Sequence, residues 1–371
     1  MTLISPNLPD VKCLQFTDGI VNAAGVSLRG PDHYQNDTGR QDDFSILLCP
    51  SGFGCMVADG LGSEKNSHFG SSVVAEVFTE ISRSLLSSGA FQQRIEAEDA
   101  RQFAFDIVTE IHNNLVSKFA KQNLTTDTVT SCKTTLIGFL SNRRHFLSFN
   151  LGDGVSFLCS SKAATNPVRL LNPTRMISGF GVDNIFSNDL LSKLHAESGQ
   201  LPTQGSLIVA TDGMDAFFID KTILSVKHAQ NYLDKILPTD QNPDSVSRIM
   251  KSMREGEKVG KTNMNFAMHD DKTLVIMTWN QELSLARKNQ NKTLRHVPPT
   301  EPTAGQLPSP VQPTAGPLLP SVQALPIPEL HTAENSMKGS SPAPTEQVLQ
   351  KPKENKSFWE KLGGSKSNKK S

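Results

Sequence analysis

Two stretches with helical periodicity stand between the second and third of six short apolar runs. That order is the strongest constraint on the fold. The runs are DFSILLC, GFGCMVAD, CKTTLIGFLS, HFLSFNLGDGVSFLC, GSLIVATDG and KTLVIMTW. Each is short, apolar and bounded by turn residues, which is how strands read. The first helical stretch spans 67–88, where Phe69, Val73, Val74, Val77, Phe78, Ile81 and Leu85 recur on one face. The second spans 99–121, with Phe103, Ile107, Ile111, Leu115 and Phe119 on one stripe. Both stripes read as core packing. The later apolar runs follow one another with no helix read between them. A doubly wound parallel sheet needs a crossover helix between its strands. The order therefore predicts an α+β fold with antiparallel sheets.

The chain has 371 residues, enough for one large domain or two small ones, and its hydrophobic content of 37% can fill a core. Its formal net charge is zero, so nothing in the balance suggests a nucleic-acid partner. The five cysteines are scattered, form no CxxC pair, and sit mostly in apolar runs. They read as reduced, buried thiols of a cytoplasmic protein, not as a disulfide framework or a zinc site. The opening MTLISPNLPDVKC has neither a basic nor an apolar signal region, so no signal peptide is expected. No apolar run is long enough to predict a membrane span.

Composition changes near residue 285, which divides the chain into a predicted folded domain, 1–285, and a predicted tail, 286–371. More than half of the 22 prolines lie between Val297 and Pro352, where PTAGQLPSPVQ is followed by the imperfect repeat PTAGPLLPSVQ. Such a segment cannot bury enough apolar surface to offset its ordering entropy, and reads as a disordered linker, partly polyproline II. The chain ends with KPKENKSFWEKLGGSKSNKKS, whose seven lysines face two glutamates. This reads either as a solvated basic tail or as a docking motif built on Phe358 and Trp359.

Acids recur where apolar runs meet turns. Asp42 and Asp43 open a strand in GRQDDFSILL. Asp59 closes one and is followed by Gly60 and Gly62. Asp153 lies in a Gly-Asp-Gly turn, Asp212 follows the apolar run of LIVATDG, and Asp270 and Asp271 precede KTLVIM. Any one of these has a plain reading as a turn, because Asp-Gly is a common turn dipeptide. Five segments doing so together point elsewhere. Carboxylates brought together repel unless cations sit between them. A set rich in Asp and poor in His and Cys selects magnesium or manganese over zinc. A pair of such ions can activate a shared water and clamp a phosphoryl oxygen.

QDDF, VADGLGS, NLGDGVSF, ATDGMDAF and HDDKTLVIM, in that order, resemble the successive motifs of the PP2C-type (PPM) metal-dependent serine/threonine protein phosphatases. The resemblance covers about residues 20–280 and is closest to the bacterial branch, given Gly30 and His33 ahead of Gln41-Asp42. It implies an α-β-β-α sandwich of two antiparallel sheets flanked by helices. It implies two Mn2+ or Mg2+ ions and direct attack of a bridging hydroxide on phosphorus, with no covalent enzyme intermediate. By similarity Asp59 would bridge the ions and the Gly60 carbonyl would ligate one. Asp42 would contribute on one side, Asp212 and Asp270 would hold the other ion, and Asp153 would serve a third, weaker site. Asp59 and Asp212 would be catalytic through the metals, and His33 would help protonate the leaving group. Asp43, Asp215 and Asp271 flank the set.

Two positions depart from the pattern. Leu61 stands where eukaryotic members carry a histidine, and Asp37 stands where they carry a phosphate-gripping arginine. Arg29, Arg40 and Arg175 are the candidates to replace that arginine. The resemblance implies a phosphoprotein substrate. It also implies, through the tail, a cognate Ser/Thr kinase and a von Willebrand-type domain protein as partners. The alternative is a catalytically weak, phosphatase-like scaffold that recruits a partner through the tail.

Overall fold

The structure, a computed structural model, describes residues 8–121, 125–160, 168–171, 182–220, 223–237, 244–263 and 269–282. The predicted tail, 286–371, lies outside the described residues, and so does Arg175. In chain order the elements begin with β1 (Val11–Thr17), β2 (Val21–Leu28), α1 (Pro31–Gln35), β3 (Asp43–Cys49) and β4 (Gly52–Ala58). Four helices follow: α2 (Ser67–Ser88), α3 (Ala90–Ala97), α4 (Ala100–Lys121) and α5 (Thr126–Thr130). Next come β5 (Leu136–Ser141), β6 (His145–Leu151), β7 (Val155–Ser160), β8 (Val168–Leu170), α6 (Leu190–Lys193), β9 (His195–Gln200) and β10 (Gln204–Ala210). The last elements are α7 (Asp215–Phe218), β11 (Ile219–Asp220), β12 (Ile223–Leu224), α8 (Val226–Ile236), α9 (Ser245–Asn263) and β13 (Lys272–Asn280).

One sheet runs β1-β2-β13-β10-β7-β8 and the other β3-β4-β5-β6-β9, and β11 pairs with β12. Every pairing is antiparallel. Three apolar layers hold the sandwich. Phe44, Phe53, Phe139, Leu207, Val275 and Met277 fill the space between the sheets. Val74, Phe78, Phe103, Ile107 and Ile111 of α2 and α4 cover the five-stranded sheet. Ala229, Leu233, Ile249 and Met253 of α8 and α9 cover the six-stranded one. The order of layers is therefore α-β-β-α, as the resemblance implies.

The helices read at 67–88 and 99–121 are α2 and α4. One premise of the sequence reading is corrected: α8 and α9 do lie between β10 and β13. They are no crossover, because β10 and β13 pair directly and antiparallel, Ala210 opposite Leu274. The helices leave the sheet, fold onto its outer face and return beside their starting point. HFLSFNLGDGVSFLC also divides. Its first half is β6 of one sheet and its second half is β7 of the other, so the Gly-Asp-Gly turn carries the chain between sheets. The cysteines are all free, but only Cys55, Cys132 and Cys159 are buried; Cys13 and Cys49 are partly exposed. Burial pushes the Cys132 and Cys159 thiols up to about 12. No helix among the described residues is long and apolar enough to cross a membrane.

Candidate metal centre

The strand registers deliver the acids to one end of the sandwich. Asp43 opposes Ala58, so Asp42 just before β3 and Asp59 just after β4 are neighbours. Ala210 opposes both Leu274 and Val155, so the residues beyond these strand ends, Asp212, Asp270, Asp271 and Asp153, gather at the same place. Carboxylate oxygens of Asp59, Asp153 and Asp212 all lie within 4.8 Å of one another. At that distance two ionised carboxylates repel by about 3 kcal/mol for an effective dielectric near 20.

Asp42 and Asp270 complete the ring electrostatically. Burial, then the charges of Asp42, Asp212, Asp270 and Asp153, push the Asp59 carboxyl well above the usual range. Burial, then Asp271 and Asp270, do the same to Asp42. Asp42 is buried and accepts a hydrogen bond of 2.7 Å from Thr211 Oγ1, which ties the two sheets together at this end. Asp270 sits at the rim with half of its side chain exposed. Its carboxyl is also raised, by desolvation and then by Asp271.

Close packing fixes the turns that carry these acids. A Cβ on Gly60 would sit 2.7 Å from the Gln41 carbonyl oxygen, and one on Gly213 would sit 1.8 Å from that of Asp271. Glycine is required at both, because backbone passes where a side chain would be. The main chain of Asp59 is pinned by Thr135, whose Oγ1 accepts from the Asp59 N–H at 3.0 Å and whose N–H donates to the Asp59 carbonyl at 2.8 Å.

The flanking acids have other work. Asp43 pairs with Lys12 at 2.6 Å and faces Arg40 at 3.7 Å. Asp271 is buried and accepts from the backbone N–H groups of Gly30 at 2.6 Å, of Gln41, and of Asp42 at 3.3 Å. It also holds His33 Nδ1 at 2.8 Å, while His33 Nε2 lies 4.0 Å from Asp270. Asp271 thus organises the loop of Asp42 and the short helix of His33. Sequence reasoning placed it only as a flanking residue, and nothing in the Asp-Asp dipeptide says which acid turns inward. Burial disfavours the His33 imidazolium, but the hydrogen bond and charge of Asp271 outweigh it and push the pKa up.

Arg40 is fully buried and donates to the Pro9 carbonyl, to Ser27 Oγ and to the Asp42 carbonyl. Arg29 pairs with Asp10 at 3.1 Å and donates to the His33 carbonyl at 3.0 Å. Asp37 is fully exposed. None of these three positions presents a guanidinium among the clustered acids.

The protein phosphatase 2C family model matches residues 29–255. The chain belongs to that family. Among solved structures, a serine-threonine phosphatase 2C from Toxoplasma gondii is similar to it with a TM-score of 0.51 at 12% identity, over 74% of this chain and 100% of that one. RsbX in complex with magnesium gives 0.44 at 14%, over 72% and 100%. The catalytic domain of the serine/threonine phosphatase PstP, with two manganese ions, gives 0.44 at 10%, over 70% and 99%. No curated protein matches the sequence. Membership makes the chain a PP2C-fold serine/threonine phosphatase, and the class depends on divalent metal.

Proposed function

We propose that this phosphatase hydrolyses phosphoserine and phosphothreonine monoesters at the end of the sandwich where Asp42, Asp59, Asp153, Asp212 and Asp270 converge. The observation that carries the reading is the approach of the Asp59, Asp153 and Asp212 oxygens to within 4.8 Å. The donor set fits hard divalent cations: it is all oxygen, crowded, and pushed toward protonation for want of a counter-charge. Asp42, Asp59, Asp212, Asp270 and the Gly60 carbonyl would hold two Mn2+ or Mg2+ ions, and Asp153 would belong to a third site. Bound there, the ions would activate water and neutralise charge on the transferring phosphoryl group.

The chain's own residues set the stage for that chemistry. Thr211 orients Asp42, Thr135 fixes the Asp59 backbone, and Asp271 holds the loop and His33 together. His33 would give a proton to the departing serine or threonine oxygen, with Asp271 fixing its ring. The tail, 286–371, would recruit partners, for which a kinase and a von Willebrand-type domain protein rest on the resemblance alone. The scaffold reading rests on Asp37 standing where an arginine is expected.

One assay separates the two readings. p-Nitrophenyl phosphate and a phosphoserine peptide are each incubated with Mn2+ or with chelator. Turnover of both that needs the metal supports the enzyme. Binding of the phosphopeptide with no turnover in any metal supports the scaffold.

A further inference from the structure

A second concavity lies beside this centre, on the other side of α1. It holds about 310 Å³ and is lined by Asp10, Val11, Leu28, Arg29, Tyr34, Arg254 and Glu257. Its volume is at the lower end of that of pockets that take a ligand. It is joined to the metal centre through α1. Arg29 directly precedes Gly30, where a Cβ would sit 2.2 Å from the Asp270 backbone. The Asp32 N–H donates to the His269 carbonyl at 3.0 Å, and His33, one residue before Tyr34, is held by Asp271.

The charges around the pocket are matched with one exception. Asp10 pairs with Arg29 at 3.1 Å, and Asp37 reaches Arg29 only at 4.0 Å from a fully exposed position. Glu257 is matched from behind by buried Lys272, at 3.4 Å. The Arg29 guanidinium stacks on the half-exposed Tyr34 ring at 4.3 Å, which makes one wall flat and rigid. Asp10, Arg29, Tyr34 and Glu257 line the same space, where burial, and then the charge and hydrogen bond of Asp10, push the Tyr34 hydroxyl up. Arg254, on α9, is exposed and has no ion pair or hydrogen bond among the described residues. It is a long cation at the mouth of a pocket whose acids are already paired.

We propose that this pocket is a specificity subsite that receives an acidic side chain flanking the phosphorylated residue, with Arg254 as its counter-charge and the Tyr34 ring as its floor. This rests on the phosphatase reading and names the substrate class for that site: acidic phosphopeptides. The two sites lie on opposite sides of a helix that is about 10 Å across with its side chains. An extended peptide covers that in about three residues at roughly 3.3 Å each. The subsite therefore reads positions up to the third from the phosphoserine. Arg29, whose terminal nitrogens are held by Asp10 and the His33 carbonyl, shapes the pocket and does not contact the substrate.

The test uses the full chain with Mn2+ and two fluorescent phosphoserine peptides, identical except for Asp or Lys two and three positions from the phosphoserine. Binding is followed by anisotropy and turnover by phosphate release, for wild type, Arg254→Ala and Arg254→Glu. Wild type should bind the Asp peptide about fivefold more tightly, the size of one good ion pair. The preference should appear in KM and not in kcat, and should fade with salt. Arg254→Ala should lose it, and Arg254→Glu should reverse it in favour of the Lys peptide. Equal binding of both peptides by wild type, or an unaltered preference in Arg254→Glu, would overturn the subsite. Absence of metal-dependent p-nitrophenyl phosphate turnover in wild type would overturn the phosphatase reading alone, since the anisotropy arm still reads the pocket.

Discussion

The two ends of the sandwich join the same two sheets by opposite means. At the end away from the acids, charges are paired one to one. Arg143 donates to Asp18 at 2.5 Å and to the Cys49 carbonyl at 2.9 Å, and its own carbonyl accepts from Gln281 at 2.6 Å. Trp279 donates to the Pro202 carbonyl at 2.7 Å. At the other end Thr211 and Asp271 still bridge the sheets, but acids outnumber cations and face each other. The paired end holds the fold together. The crowded end stores repulsion that a divalent cation bound there would relieve. Binding energy for such an ion would thus be prepared by a structure that is less comfortable without it.

The difference can be broken at either end. The largest effect is expected from Asp59→Asn and Asp212→Asn, each lowering kcat about a thousandfold in saturating Mn2+, the scale of losing one electrostatic contact to a transition state. Steady-state turnover of p-nitrophenyl phosphate checks this. Next comes Asp271→Ala, which leaves the Gly30, Gln41 and Asp42 N–H groups without their acceptor. It should cost about 3 kcal/mol in urea unfolding, and activity should fall with it because the Asp42 loop is released. Arg143→Ala, at the paired end, should cost about 2 kcal/mol and leave Mn2+ dependence as it was. A loss of metal affinity in that variant would show that the ends are not independent.

The smallest effect has the most telling sign. In the metal-free protein Asp59→Asn should raise Tm by about 3 °C, near 1 kcal/mol for a domain of this size. The pH dependence follows. The folded-state pKa values of Asp42 and Asp59 are raised above the unfolded value. The contribution of these two groups to metal-free stability is therefore fully present below the ordinary carboxylate range and is lost as pH rises from there through the raised values. Asp18 is the reverse. Burial disfavours its charge, but Arg143 and two backbone N–H groups outweigh that and lower its pKa. Its contribution is present above the unfolded value and is lost as pH falls through the folded one. Thermal melts of metal-free wild type, Asp59→Asn and Arg143→Ala between pH 3 and 8 separate the two slopes.

What could be read in advance divides along physical lines. The helices over the five-stranded sheet were legible, because α2 and α4 carry long stripes of Phe, Val and Ile. Those over the other sheet were not read. The α8 stripe of Ala229, Tyr232, Leu233 and Ile236 is short and shares its helix with many polar residues, although Ser225 caps it and its period is helical. β2 escaped because VNAAGVSL lacks bulk. Its Gly25 must be small, since a Cβ there would lie 2.3 Å from the Phe44 ring. Large residues on a neighbour dictate small ones here, and that dependence is not local in sequence. β9, HAESGQ, is a polar edge strand without an apolar signature. The acids were legible through their Asp-Gly turns and strand ends. Their division of labour was not: Asp270 and Asp271 differ only in which way each points from the chain.

The most direct test is a calorimetric Mn2+ titration of metal-free wild type, Asp59→Asn and Asp212→Asn, with p-nitrophenyl phosphate turnover followed across the same range. On this account wild type binds at least two equivalents, turnover rises with their occupancy, and each variant binds fewer and keeps only about a thousandth of the turnover. Wild type that binds no Mn2+, or an Asp59→Asn variant that binds and turns over as wild type does, would contradict it.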